Sequence, residues 1–147
     1  MYDYNFYFRF PADASLIKDI EKAVNGQYSA AACYEQLARM APNEEERNRI
    51  VEIRKDELRH LKVFSQIYKS LSGRQPTPHI VEQCPSDYRA GLNFAIKDEQ
   101  ETVDFYLDIA QKSTVPFIKD YFRRASADEQ NHAVWFLYFL TRNQSGS

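Results

Sequence analysis

Apolar and polar residues recur with the period of an α-helix in four long stretches of the chain. The first opens at Asp13, a candidate N-cap after Pro11, and runs to about Met40 with Ile17, Ile20, Val24, Ala31, Tyr34 and Leu37 along one side. Pro42-Asn43 breaks it. Asn43 followed by Glu44, Glu45 and Glu46 then reads as a capping-box start, with acid in the first turn where the helix dipole favours it, and this second helix continues to about Leu71. Residues 72–85 contain Gly73, Pro76, Pro78 and Pro85 and form a loop. A third helix is predicted from about Ser86 to Lys112, with Leu92, Ala95, Ile96, Val103, Tyr106 and Ile109 turned inward. The fourth runs from Pro116, well suited to a first helical turn, to Arg142. The expected fold class is all-α: a four-helix bundle of two hairpins joined by a long crossover.

The two hairpins repeat each other. Asp56-Glu57-Leu58-Arg59-His60 returns as Asp128-Glu129-Gln130-Asn131-His132, 72 positions later, and the same offset relates Tyr34 to Tyr106, Gln27 to Glu99, Phe64 to Phe136 and Ile67 to Phe139. Glu and His three apart share one helix face, so a carboxylate oxygen and an imidazole nitrogen can reach the same ion. A single Glu-x-x-His is ordinary on a solvated helix face. Two copies in register, each with a ligand-type residue seven positions before a Tyr, point instead to a metal site inside a four-helix bundle. If a two-fold axis perpendicular to the bundle relates the hairpins, the second and third helices run parallel and the crossover must travel a bundle of about 40 Å. Segment 72–85 reaches roughly 45 Å when extended, which just suffices.

Length and composition narrow the reading. A chain of 147 residues makes one domain with a core of its own, and 44% hydrophobic beside 27% charged residues is ordinary for a globular protein. With 19 basic against 21 acidic residues, and no basic stripe, nothing calls for nucleic acid. No apolar run approaches membrane-spanning length, and the N-terminus lacks the layout of a secretory signal. Cys33 and Cys84 form no Cys-x-x-Cys, so neither a rubredoxin-type iron centre nor a disulfide framework is expected, and a reducing cytoplasm is the expected compartment. Cys33 reads as a buried small side chain, although a thiol near a redox metal can be oxidised.

Three segments follow: an aromatic arm over 1–12, the bundle over 13–142 and a short tail over 143–147. The arm carries Tyr2, Tyr4, Phe6, Tyr7, Phe8 and Phe10, too much apolar surface to leave in water, and is expected to dock on its own bundle or on a second subunit. A homodimer or small homo-oligomer is expected rather than a hollow shell, since no fifth helix follows Arg142.

With these residues assembled, the chain resembles the ferritin-like superfamily, near rubrerythrin-type diiron-carboxylate proteins without a rubredoxin domain. The resemblance covers about Asp13 to Arg142, and Asp56-Glu57-Leu58-Arg59-His60 also matches the Asp-Glu-x-Arg-His signature of soluble diiron oxidases and acyl-carrier desaturases. It implies two iron ions, with manganese or zinc as alternatives, bridged by Glu57 and Glu129, with His60 and His132 as terminal ligands and Glu99 as a terminal carboxylate. Gln27 stands where the family has the matching Glu. The resemblance also implies that Asp128 accepts from His60 and Asp56 from His132. Arg59 can neutralise one of these aspartates, whereas Asn131 at the matching position cannot. Tyr34 and Tyr106 fall on the ligand face, either as hydrogen-bond donors to the bridging carboxylates or as core residues, and are the candidate catalytic side chains. Rubrerythrin peroxidases carry a further carboxylate where this chain has Thr102.

The implied function is a diiron-carboxylate protein acting on Fe(II) with O2 or peroxide, ferroxidase- or oxidase-like. The alternatives are an iron-handling protein without sustained turnover and a structural bundle with a partly degraded site.

Overall fold

Each helix in the computed structural model, which describes residues 13–143, begins and ends where the sequence supplies a reason. Helix α1 spans Ala14–Met40 behind Asp13, whose carboxylate accepts from the Ser15 amide at 3.0 Å. Helix α2 spans Glu44–Ser72 behind Asn43, which accepts from the Glu46 amide at 2.9 Å, and it stops at Gly73, whose φ of 76° only glycine adopts without strain. Helix α3 spans Tyr88–Lys112. It starts two residues later than the pattern predicts because Asp87 takes the N-cap position and accepts from the Ala90 amide at 2.9 Å. Helix α4 spans Pro116–Arg142, with Pro116 in the first turn where a missing amide hydrogen costs nothing.

The ends show how the helices run. Tyr88 donates to Glu46 at 2.6 Å, so α3 starts beside the start of α2. At the other end Lys112 reaches Asp19 at 2.6 Å and Ser15 at 2.9 Å, so α3 finishes beside the start of α1. Helices α2 and α3 are therefore parallel, and the crossover between them climbs the whole bundle. Asn143, expected in the tail, belongs to the bundle end, donating to Glu46 at 3.1 Å.

The crossover lies along one stripe of α1. His79 N–H donates to Asn25 at 3.2 Å, Val81 N–H to Ser29 at 2.9 Å, and the Gln36 amide to the Pro85 carbonyl at 3.1 Å. Between these contacts Cys84 meets Cys33 in a disulfide, with Cα atoms 5.1 Å apart across 51 positions of sequence. Where no disulfide framework was expected there is one bond, and the reading of Cys33 as simply a small buried side chain is corrected. Cysteine spacing carries no signal for such a pair; only the path of the crossover brings the two thiols together.

The core forms two apolar clusters with a polar layer between them. One gathers Ile20, Val24, Phe64, Tyr106, Ile109 and Phe122, with the Phe64 and Phe122 rings stacked at 4.3 Å. The other gathers Tyr34, Leu37, Ile50, Leu92 and Phe136. Here α1 and α3 approach so closely that a methyl group on Gly91 would sit 2.6 Å from the Leu37 side chain. Between the clusters lie the buried polar side chains Gln27, Glu57, His60, Glu99, Glu129 and His132, each 2% exposed or less. The aromatic arm over 1–12 lies outside the described residues.

Candidate metal centre

One side chain from α1, two from α2, one from α3 and two from α4 meet in this layer, because Gln27, Glu57, His60, Glu99, Glu129 and His132 all fall on inward helix faces at the same height. Ligand atoms of Glu57, Glu99, Glu129 and His132 lie within 4.8 Å of one another. His132 Nδ1 stands 3.3 Å from Glu99 Oε2, 3.1 Å from Glu129 Oε2 and 3.8 Å from Glu57 Oε1. On the opposite side His60 Nδ1 stands 3.2 Å from Glu57 Oε1, 3.9 Å from Glu129 Oε2 and 3.1 Å from Gln27 Oε1. Both imidazoles thus share Glu57 and Glu129. Glu99 completes one side and the neutral amide of Gln27 the other.

Each histidine is aimed by an aspartate from the opposite hairpin. His60 Nε2 pairs with Asp128 at 2.9 Å and His132 Nε2 with Asp56 at 2.8 Å, which engages Nε2 with the aspartate and leaves Nδ1 facing inward, the nitrogen that would serve a metal once its proton is given up. Arg59 donates to Asp56 at 2.6 Å. Sequence comparison of the two halves finds only Asn131 opposite Arg59, yet Asp128 has its own cation: Arg124, one turn upstream, donates to it at 3.0 Å. The i, i+4 spacing of Arg124 and Asp128 was the available signal. Phe64 stacks on the His60 ring at 5.8 Å, with Tyr121 edge-on at 6.2 Å.

The tyrosines differ. Tyr34 donates to Glu99 Oε2 at 2.7 Å, so its partner is the carboxylate of one side rather than Glu57 or Glu129, which both sides share. Tyr106 packs edge-on against Phe64 at 5.2 Å and Phe122 at 5.5 Å. Thr102 donates to the carbonyl of Asp98 at 2.7 Å, satisfied by its own helix. His79 is exposed on the crossover.

The electrostatics are those of a site awaiting positive charge. Burial, then the charges of Glu57 and Glu99, hold Glu129 well above the usual carboxylate range. Burial and the Glu57 charge push Glu99 up to about 8, against the nearby His132 imidazole and the hydrogen bond from Tyr34. For His132 burial opposes protonation, but the surrounding Glu99, Glu57 and Asp56 outweigh it and raise the imidazole to about 10. His60 moves upward too, burial being outweighed by Asp128 and Glu57. Glu57 moves downward, since both histidines outweigh its burial. Protons here do the neutralising that a cation would do.

Hydrogen bonding makes the same point. Both oxygens of Glu57, Glu99 Oε1, Glu129 Oε2 and His132 Nδ1 are buried without a hydrogen-bond partner among the described residues. Leaving a buried polar atom unpaired costs about 1–3 kcal/mol, more if charged. Five on converging side chains need an explanation, and divalent ions ligated by oxygen and imidazole nitrogen provide it.

Known proteins agree with this architecture. A family model described as Rubrerythrin matches residues 91–146. The uncharacterized protein YhjR of Bacillus subtilis (strain 168) is 49% identical over 138 residues, which is 91% of this chain and 95% of YhjR. Among solved structures, one described as ferritin like, diiron-carboxylate proteins from Bacillus anthracis str. Ames has a TM-score of 0.76 at 22% identity, covering 95% of this chain and 99% of its own. A hypothetical protein from Pyrococcus furiosus has a TM-score of 0.74 at 20% identity, covering 91% of this chain and 93% of its own. At those identities the two structures speak to the fold, a ferritin-like bundle. With near half of its residues identical to those of YhjR over almost the whole of both chains, a Rubrerythrin match over its second hairpin and a ferritin-like fold, the chain belongs to one family with YhjR, of rubrerythrin-type fold.

Proposed function

We propose that this protein is a diiron-carboxylate protein that oxidises Fe(II) with O2 or peroxide. The observation that carries the reading is the set of five buried polar atoms without partners on Glu57, Glu99, Glu129 and His132. Glu57 and Glu129 lie between the two histidines and are the candidate bridges, His60 and His132 the terminal nitrogen ligands, and Glu99 and Gln27 the outer oxygen ligands. When bound, two iron ions supply the pair of electrons that O2 or peroxide takes up. The chain's own residues hold the tautomers through Asp56 and Asp128 and place a phenol, Tyr34, at the Glu99 carboxylate.

Iron is favoured over zinc because closed structural zinc sites are built from cysteine and histidine, whereas this donor set is rich in carboxylates. A homodimer or small oligomer acting in the cytoplasm completes the proposal. No described helix is long and apolar enough to cross a membrane.

A second reading, iron handling without sustained turnover, draws on Gln27 as a neutral donor and on Thr102 where peroxidases of the family carry a carboxylate. Anaerobic Fe(II) titration followed by exposure to oxygen tests both. Two ions per chain and rapid oxidation support the first reading, retained metal with slow oxidation supports the second, and no stoichiometric binding refutes both.

A further inference from the structure

The chain holds two cysteines, and the structure pairs them next to the site. Cys33 directly precedes Tyr34, whose hydroxyl is 2.7 Å from Glu99 Oε2, so a helix residue bonded to the disulfide is also bonded to the ligand layer. The two cysteines differ in burial. Cys33 is 4% exposed and packs with Tyr34 and Leu37, while Cys84 is only half-buried on the crossover between exposed Gln83 and Ser86. A disulfide with its more accessible cysteine on the crossover and the other one residue from Tyr34 is arranged for exchange: an external thiolate can attack at Cys84 and release Cys33 as the thiolate. Cys84 also sits on the strap that roofs the groove between α1 and α3. There Val81 and Glu82 from the crossover close over Gly26, Asp98 and Tyr106, around a cavity of about 350 Å³. Two of its lining residues, Gly26 and Asp98, directly precede Gln27 and Glu99 in sequence.

We propose that Cys33 and Cys84 are a redox pair that supplies electrons for reduction of hydrogen peroxide at the carboxylate–histidine centre, making the protein a thiol-dependent peroxidase. This rests on the function proposed above and names its reductant. The stoichiometry closes without a further reactant. The two S–H bonds break, one S–S bond forms, and two electrons and two protons pass to H2O2, whose O–O bond breaks to give two waters. The pair is reset by an external dithiol, which attacks Cys84, forms a mixed disulfide and leaves as its own disulfide while Cys33 and Cys84 regain their protons. A cytosolic disulfide that cycles in this way fits the general pattern that such bonds are transient and catalytic.

The test uses the full chain, reduced with dithiothreitol, freed of it anaerobically, and loaded with Fe(II). Two equivalents of hydrogen peroxide are added, one for the bound iron and one for the thiols. Alkylation at timed intervals with mass analysis reads the disulfide directly. The expected result is a stoichiometric Cys33–Cys84 bond that forms roughly tenfold or more faster than in metal-free protein. With dithiothreitol present throughout, the wild type should keep consuming peroxide, while Cys33→Ser and Cys84→Ser should slow by a similar factor. Equal disulfide formation with and without iron overturns the inference and leaves a structural cross-link; so does turnover of both serine variants at the wild-type rate. A failure of iron to bind or oxidise at all overturns the proposed function and this inference with it. Iron oxidation that proceeds while the thiols survive overturns the inference alone.

Discussion

Replacing Gln27 with Glu separates a weakened ligand from a deliberate one. Gln27 is 1% exposed, and its Oε1 lies 3.1 Å from the same His60 Nδ1 that approaches Glu57 Oε1 at 3.2 Å. Without metal, a new carboxylate there joins a crowd that already keeps protons on Glu99 and Glu129. Holding it protonated at neutral pH means a shift of about three pKa units, or roughly 4 kcal/mol, against which a charged hydrogen bond to His60 returns about 1.5–3 kcal/mol. The metal-free variant should therefore lose about 1–3 kcal/mol and melt about 3–10 °C lower than the parent.

With metal the sign reverses. Three carboxylates leave two divalent ions with one uncompensated positive charge in a dry bundle, and a fourth removes it. A gain of about 1.4–3 kcal/mol at the His60 side is roughly ten- to hundredfold in affinity. Anaerobic Fe(II) titration by calorimetry, with melting curves in chelator and in excess metal, reads both halves of the argument. Equal affinity at the two positions of the parent, with no gain in Gln27→Glu, would refute the treatment of Gln27 as the weak ligand.

Other outcomes follow from the same geometry. Asp128→Asn and Asp56→Asn should each lower metal affinity about 10- to 100-fold with little change in helix content, because they release the imidazole they aim; unchanged affinity in competition with a chromogenic chelator would count against that role. Metal uptake at pH 7 should release protons, since Glu99 at about 8 and His132 at about 10 are protonated there in the metal-free protein and must give those protons up. Affinity should accordingly fall as pH falls, and a pH indicator in weak buffer that records no release on Fe(II) addition would contradict this. Gly91→Ala should destabilise by about 1–3 kcal/mol, read as a shifted urea midpoint at constant slope, because its methyl group meets a Leu37 with no room to move.

The bundle was legible because its signals are local and repeated. Asn43, Pro116 and the Pro-rich segment after Gly73 punctuate the helices, and the 72-residue offset ties Glu57 to Glu129 and His60 to His132 before any contact is known. What sequence could not give depends on three-dimensional path. The Cys33–Cys84 bond exists because the crossover follows one stripe of α1, and no cysteine motif encodes that route. Arg124 was hidden because comparing the two halves directed attention to Asn131, whereas a cation reached Asp128 from the other direction along the helix. The hydrogen bond of Tyr34 to Glu99 crosses 65 positions and chooses among several carboxylates of equal sequence rank. Spacing can put a phenol on the right face; only packing selects its partner.

The crossed aspartate–histidine bonds give a single chain the contact pattern of a two-fold dimer, residue i meeting j while j's counterpart meets i's. Asp56 steers an imidazole 76 positions away and Asp128 one 68 positions away, each on the other hairpin. Neither hairpin can therefore finish its own ligand set, so a measurement of metal affinity would double as a test of correct assembly. A chain whose hairpins docked in the wrong register would leave both histidines unsteered and would hold its ions poorly. Two chains that exchanged hairpins through an opened crossover would rebuild both centres intact, so the metal would tolerate a domain-swapped dimer while rejecting a misfolded monomer.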